Sequence, residues 1–334
     1  MQAMTVRKPG GFENLTLIEQ DIPEPGPGEI VVNWRATSLN YHDLLVANGS
    51  IPADDGRIPM SDGAGTISAI GEGVTRWAVG DAVMSLFFPL WTEGRHHPSK
   101  TAAVTGDSIH GCAVQYSLLA ETAVTRMPQG LSFAEAATLP CAALTAWQAL
   151  MVRGNMQAGD SVLVEGTGGV SIFALQLAKA AGANVIATTS SEAKAERLTE
   201  LGADHVVNYQ DDANWGRTVA KLSNGGVDHV LDIGGTSTLN QSIYATKTGG
   251  QVSLIGVLGG MSTNLNVAVV FSKQMQLNGV AVGSAEMQTN MVAAIEACQI
   301  KPILDQTFPL AELGNAFNYQ ASGKHFGKII VDIA

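Results

Sequence analysis

The chain has 334 residues, and 19 Lys and Arg set against 30 Asp and Glu give a formal charge of −11. At roughly 100 to 200 residues per domain this length suggests two domains. With 46% hydrophobic and only 15% charged residues the chain is too apolar to stay disordered, and 37 Gly without a three-residue period and 3 Cys fit neither collagen nor a disulfide scaffold. An acidic chain without a Lys/Arg run is repelled by phosphate backbones, so nucleic acid is not an expected partner. The odd, widely spaced Cys112, Cys141 and Cys298 suit a reducing compartment, which points to the cytoplasm. The opening MQAMTVRKPGGFENL lacks an apolar signal region, and no run approaches the roughly 18 apolar residues of a membrane span, so no membrane association is expected.

In chain order, short alternating runs come first: 29–34 (EIVVNW), 65–70 (GTISAI) and 81–86 (DAVMSL), separated by turn signals such as Pro25-Gly26 and Pro27-Gly28. They predict a β-rich domain. Residues 93–115 show weak periodicity and are expected to form a long surface excursion. After Leu131 apolar strands alternate with helical periodicity, the pattern of βαβ units around a parallel sheet. Strands are expected at 161–165, 184–188, 205–207, 227–232, 251–255 and 276–282, with helices over 170–181, 192–201 and 215–222 between the earlier ones. Six such strands predict a doubly wound α/β sheet. The tail carries two helical stretches (291–298 and 310–320) and a last strand, 328–333, and it can return to complete the first domain.

The strongest local signal is Gly166-Thr167-Gly168-Gly169-Val170-Ser171, directly after a buried strand and opening a helix. Glycines there let the backbone turn tightly and approach a pyrophosphate, whose charge is met by free amides and the positive end of the helix. Ser171 stands where the dinucleotide pattern G-x-G-x-x-G has its third glycine. An ordinary strand-to-helix glycine turn is the plainer alternative. At the end of the second strand, where NAD-binding proteins place Asp or Glu, stand Thr188, Thr189, Ser190 and Ser191. These hydroxyls, with Lys194 and Arg197, favour a 2′-phosphate and hence NADPH. Alternatively, Ser190 or Ser191 only caps the next helix.

No cysteine cluster or convergent Cys/His/carboxylate set is visible for zinc, and no G-x-S-x-G elbow for serine catalysis. No metal is therefore expected.

The ordered series Pro25-Gly26-Pro27-Gly28-Glu29, Ser38 to Asp43, Ser61 to Gly65, Val79-Gly80-Asp81, Leu139 to Trp147, Gly166 to Val170, Leu201 to Asp204 and His325 to Lys328 resembles the medium-chain dehydrogenase/reductase superfamily, in its zinc-free quinone oxidoreductase-like branch. The resemblance spans nearly the whole chain. It implies a GroES-like catalytic domain at 1–130, a Rossmann domain at 131–284 and a return to the catalytic domain at 285–334, with substrate and nicotinamide meeting in the cleft. Zinc-bearing relatives have a Cys where Leu39-Asn40-Tyr41 begins and Gly-His-Glu where Met60-Ser61-Asp62 lies; Cys141 matches a third ligand position but stands without the other two, and is expected to pack as an apolar thiol. The resemblance further implies that Asn40 faces the nicotinamide ribose or substrate and Thr145 the nicotinamide. Gly168, Gly169 and Val170, following Gly166, would bind the pyrophosphate, and Ser190, Lys194 and Tyr209 the 2′-phosphate. Ile255 and Val257 would line the path to the nicotinamide, with Val282 and Ser284 near its carboxamide.

The expected activity is hydride transfer from NADPH to a quinone or an α,β-unsaturated carbonyl, since without a Lewis acid nothing lowers an alcohol's pKa. Tyr41 is the candidate oxyanion donor, Asn40 positions the acceptor and Asp43 orients the loop; helix capping by Asp43 and packing of Tyr41 are the alternatives. An alcohol or aldehyde dehydrogenase, or a low-turnover NADPH-binding sensor, remain rival readings. The substrate is a small electrophile (quinone, enone or aldehyde) held by loops 51–57, 87–94 and 285–291. The edge strand 276–282 suggests a homodimer.

Overall fold

A computed structural model describes residues 1–262 and 264–333. In chain order the elements are β1 (Gln2–Thr5), β2 (Thr16–Glu19), β3 (Glu29–Ser38), α1 (Tyr41–Ala47), β4 (Ala64–Ile70), β5 (Ala82–Ser85), β6 (Tyr116–Ala120), β7 (Val124–Arg126), α2 (Phe133–Ala136) and α3 (Leu144–Trp147). Then come β8 (Ser161–Glu165), α4 (Gly169–Ala180), β9 (Asn184–Thr189), α5 (Glu192–Glu200), β10 (His205–Asn208), α6 (Trp215–Leu222), β11 (Val227–Asp232), α7 (Leu239–Ala245), β12 (Thr246–Leu254), α8 (Val267–Ser272) and β13 (Gln276–Gly279). The chain ends with α9 (Ala285–Cys298), β14 (Leu304–Pro309), α10 (Leu313–Ala321) and β15 (Lys328–Asp332).

Two compact units result, one of 1–144 with 282–334 and one of 145–281. The sequence pattern sets its limits at 130/131 and 284/285 instead. The stretch just past 131 packs with the first unit because Phe133–Ala136 lies against β3, β4 and β15. Ser38 Oγ also donates 2.9 Å to the Ala137 carbonyl.

The first unit is built on a sheet of order β14-β15-β3-β4-β5-β7, with β6 also pairing β3. The alternation of β3 turns Ile30, Val32 and Trp34 into one core with Val83, Phe317, Ile329 and Val331. The tail thus returns to this unit: β15 pairs antiparallel with β3, Ile330 opposite Ser38.

The expected surface excursion holds for 93–99, which is exposed, and not for 111–114. Cys112, Ala113 and Val114 lie within the core, and this segment pairs as backbone: Cys112 N–H donates to Met60 O and Met4 N–H to Ala113 O. An irregular strand-like segment shows no period for the sequence to reveal.

The second unit is a six-stranded parallel sheet of order β10-β9-β8-β11-β12-β13. Numbered within the unit this is 3-2-1-4-5-6, the doubly wound dinucleotide order, whose ligand crevice lies at the carboxyl ends of the strands. Fully buried parallel strands explain the unbroken apolar runs Val162-Leu163-Val164 and Val185-Ile186-Ala187. The last strand ends at Gly279 rather than at 282, because Val282 takes a left-handed backbone, φ 49°, that cannot continue a strand.

Candidate active site and cofactor turn

In the second unit the Gly166–Val170 turn joins β8 to α4. Gly166 has φ +71°, which only glycine adopts freely, and a Cβ placed on Gly168 would meet nothing within 4 Å, so the backbone faces open space. Gly168 is the N-cap of α4 and offers no side-chain cap, leaving the first amides of a 12-residue helix unsatisfied by a cap. Ser171, the departure from the third glycine, is fully buried, and its hydroxyl donates 2.6 Å to the Glu165 carbonyl. The hydroxymethyl group is thus accommodated by tying the helix back to the strand. The residues fit a bound pyrophosphate.

Beside this turn, β9 ends in Thr188 and Thr189, both buried, followed by exposed Ser190 and half-buried Ser191. Ser191 occupies the N-cap position of α5 without a side-chain capping bond; instead its N–H donates 3.3 Å to Thr189 Oγ1. Lys194 lies in the first turn of α5, half-buried. Tyr209 follows β10, 39% exposed, and its N–H donates 3.0 Å to Thr189 O. Ile255 and exposed Val257 follow β12. The Ile255 N–H donates 2.9 Å to Asp232 O. Gly166 to Val170, Thr189 to Lys194, Tyr209, Ile255 and Val257 therefore gather at the carboxyl ends of β8, β9, β10 and β12. Thr145 lies on α3 and is buried.

In the first unit Asn40, Tyr41 and Asp43 form the head of α1. Asp43 caps it: its carboxylate accepts from Asn40 N–H at 2.9 Å and from Ser61 N–H at 2.8 Å. Tyr41 is 39% exposed. Asn40 is buried, its Nδ2 donating 3.1 Å to Ser61 Oγ and its Oδ1 accepting 2.6 Å from Lys328 Nζ. Lys328, almost wholly buried, also donates to Leu39 O at 2.5 Å and lies 3.8 Å from Asp62. Ser38 Oγ, which donates its one proton to the Ala137 carbonyl, also lies 3.1 Å from Asp62 Oδ2, and among the described residues the other Asp62 carboxyl oxygen is buried without a hydrogen bond. Burial pushes the Asp62 carboxyl up to about 7 against the pull of Lys328, and burial likewise raises Asp43. Val282 and Ser284 stand at the head of α9, where Ser284 Oγ accepts 3.2 Å from Met287 N–H. A separate cavity of about 280 Å³ in this unit is lined by Trp34, Leu90, Cys112 and Leu118 among others. It takes in Pro89 and Leu90 of the expected loop 87–94 and nothing of 51–57 or 285–291.

The partners missing from the sequence reading are Lys328 and Ser38 here and Asp232 and Ser242 in the second unit. A lysine opening an apolar strand reads as a strand end, and nothing local marks it as buried against a residue almost three hundred positions away.

Residues 169–297 match the family Zinc-binding dehydrogenase, and residues 26–129 match the Alcohol dehydrogenase GroES-like domain. A zinc-type alcohol dehydrogenase-like protein of Schizosaccharomyces pombe is 40% identical over 333 residues, spanning 97% of this chain and 96% of that protein. The chain belongs to the medium-chain dehydrogenase/reductase superfamily. Among solved members, an NAD-dependent alcohol dehydrogenase shares 33% identity at a TM-score of 0.92, covering 100% of both chains. The crotonyl-CoA carboxylase/reductase AntE in complex with NADP shares 25% at 0.88, covering 99% of this chain and 94% of that one. This medium-chain dehydrogenase/reductase is thus an oxidoreductase of nicotinamide type, with a GroES-like domain and a Rossmann-like parallel sheet.

The superfamily's zinc is a separate matter. Among the described residues no three His, Cys, Asp or Glu side chains converge to hold a metal. In this region Asn40 is hydrogen-bonded to Ser61 and to the Lys328 ammonium, and Asp62 lies 3.8 Å from the same ammonium. An amide, a hydroxyl and a carboxyl beside a fixed cation do not fit a zinc ion.

Proposed function

We propose that this protein is an NADPH-dependent reductase that delivers hydride to a quinone or an α,β-unsaturated carbonyl without zinc. The observation that carries the reading is the replacement of a metal-ligand set by the Lys328–Asn40–Asp62 network. With no Lewis acid an alcohol's proton is not released easily, whereas an acceptor already polarised by a carbonyl needs only hydride and a proton. Reduced nicotinamide, when bound, supplies the hydride from its C4 position. The Gly166–Val170 turn binds the pyrophosphate, and the α5 head, with Ser190, Lys194 and Tyr209, takes the 2′-phosphate; the absence of a carboxylate across 188–191 supports NADPH over NADH. Tyr41, exposed at the head of α1, donates to the oxygen that becomes negative, and Asn40 and Asp43 hold that loop in place.

We further propose a homodimer in the cytoplasm. The dimer is supported by β13, which has a partner on one side only in its sheet, and by exposed Met261, Val267 and Phe271 in the segment leading to it. Among the described residues no helix is long and apolar enough to cross a membrane, and the three cysteines form no disulfide.

The test is a thermal-shift comparison of NADPH with NADH, followed by NADPH oxidation with quinones and enones and by metal analysis of the active protein. Selective stabilisation by NADPH and turnover of enones or quinones in metal-free protein are expected. Preference for NADH, or activity only with an alcohol and bound zinc, overturns the reading. Sedimentation of a monomer only overturns the dimer.

A further inference from the structure

Glu165 and Asp232 end the adjacent strands β8 and β11, and both side chains are buried. Between them lies one hydroxyl. Ser242 Oγ of α7 is 2.5 Å from Glu165 Oε1 and 2.7 Å from Asp232 Oδ2. A serine hydroxyl carries one proton and can donate along only one of these contacts. If both carboxyls were ionised, the other contact would press two oxygens together with no hydrogen between them. One carboxyl must therefore carry a proton.

The surrounding donors say which. Asp232 receives Gly235 N–H at 2.8 Å and Thr238 Oγ1 at 2.9 Å on its other oxygen, the environment of a carboxylate. Glu165 receives one backbone N–H, from Ile233, at 3.3 Å. The proton belongs on Glu165, which donates to Ser242, which donates to Asp232.

We propose that Glu165, Ser242 and Asp232 form a one-proton relay that positions the cofactor turn, so that losing the proton weakens dinucleotide binding. It rests on the assignment of Gly166–Val170 as that turn. Glu165 directly precedes Gly166, and its carboxyl anchors Ile233 of the neighbouring strand-end loop. Asp232 holds Gly235 of that loop through its side chain and Ile255 through its carbonyl. One buried trio thus ties together the backbone that follows three strands at their ligand-binding ends. Removing the proton breaks the Glu165–Ser242 bond and doubles the negative charge beside a helix start that must accept a pyrophosphate.

The groups meeting the pair are Ser242, Thr238 and the amides of Ile233, Gly234 and Gly235, with no cation among them. Charged or titratable neighbours on the same elements are engaged elsewhere: Asp228 with Lys247, His229 with Asp160, Lys179 with Asp204, and Tyr244 under Arg217. Burial, then repulsion from Asp232, pushes Glu165 up to about 8, and burial raises Asp232. The proton is thus present at neutral pH and lost in mild alkali.

The experiment is calorimetric titration of the full-length protein with NADPH between about pH 7 and about pH 9.5. Linkage predicts a Kd rising at least about five-fold across that range in the wild type and staying within about two-fold in Glu165→Gln. The Gln amide donates permanently to Ser242 and carries the charge of the protonated acid, so its binding should no longer sense pH. Wild-type titrations near pH 8.5, repeated in buffers of different ionisation enthalpy, read the same coupling without a variant, and proton uptake on binding is expected. A pH-independent Kd with no proton uptake overturns the relay and leaves the cofactor turn intact; so does a Glu165→Gln protein whose Kd rises as steeply as wild type. No binding of NADPH or NADH at any pH overturns the cofactor turn and the relay with it.

Discussion

The Lys328 ammonium lies 2.6 Å from the side-chain oxygen of Asn40, with both side chains almost wholly out of solvent. The ammonium has only donors, so it must face the amide oxygen. The Asn40 amino group is thereby turned toward Ser61. One cation from the last strand thus fixes the polarity of a side chain at the head of α1.

Removing that cation should be costly. In Lys328→Met the Asn40 oxygen and the Leu39 carbonyl lose this donor, and Asp62 loses the ion pair with Lys328. Breaking a buried pair on one side typically costs about 3–5 kcal/mol. Denaturant unfolding should show a loss in that range. Adding Asp62→Asn should recover part of it, since the orphaned carboxyl is then gone. Simple additivity of the two changes would show that Lys328 and Asp62 do not interact.

Stability should also fall in mild alkali. The folded protein holds Asp62 up to about 7 and Glu165 up to about 8, both above the ordinary carboxyl range and both chiefly through burial. A raised folded value means that the folded state binds the proton more tightly than the unfolded chain. That contribution is complete below about pH 4 and fades as pH rises through the two folded values. The Tm should therefore decline between pH 6 and about 9, and Asp62→Asn should flatten the first part of the decline. A Tm that rises over this interval would contradict the protonated state of both carboxyls.

What the sequence reveals follows from the range of the interactions involved. The six Rossmann strands are legible because each is a local apolar run between glycine-marked turns, and 161–165 and 227–232 are found at the limits expected. The Gly166–Val170 turn is legible for the same reason: strand, glycines and helix are contiguous. The Lys328–Asn40–Asp62 network joins three separate elements, and the Glu165–Ser242–Asp232 trio joins three more. No window along the chain contains either set. Backbone strain is equally silent: buried Met60, φ 78°, and buried Val282, φ 49°, are held in the left-handed region by packing, at positions where the sequence offers no glycine. The course of 111–114 through the core escapes notice because it lacks a period.

The three thiols should differ in reactivity. Cys298 is exposed at the end of α9, Cys141 is half-buried, and Cys112 is buried and lines the cavity of about 280 Å³ in the first unit. Burial pushes the Cys112 thiol well above its ordinary range, so almost none of it is thiolate near neutrality. Timed labelling with a maleimide, read by peptide mass, should modify Cys298 first and Cys112 only on unfolding. Labelling of Cys112 in the native protein at the rate of Cys298 would show that its surroundings open readily.

Restoring the dinucleotide pattern should weaken the fold. Ser171→Gly rewrites 166–171 as the three-glycine motif, and similarity alone would rank it neutral or better. The structure gives the opposite sign. The Ser171 hydroxyl is buried and donates 2.6 Å to the Glu165 carbonyl, a bond worth about 1 kcal/mol net. Glycine in the first turn of α4 also loosens the backbone, by up to about 1 kcal/mol relative to a residue with a side chain. Ser171→Gly should therefore lose about 1–2 kcal/mol in denaturant unfolding. Ser171→Ala, which keeps the Cβ and loses only the hydrogen bond, should fall between the two. Equal stability of the glycine variant and the wild type would show that the serine hydroxyl does not tie helix to strand.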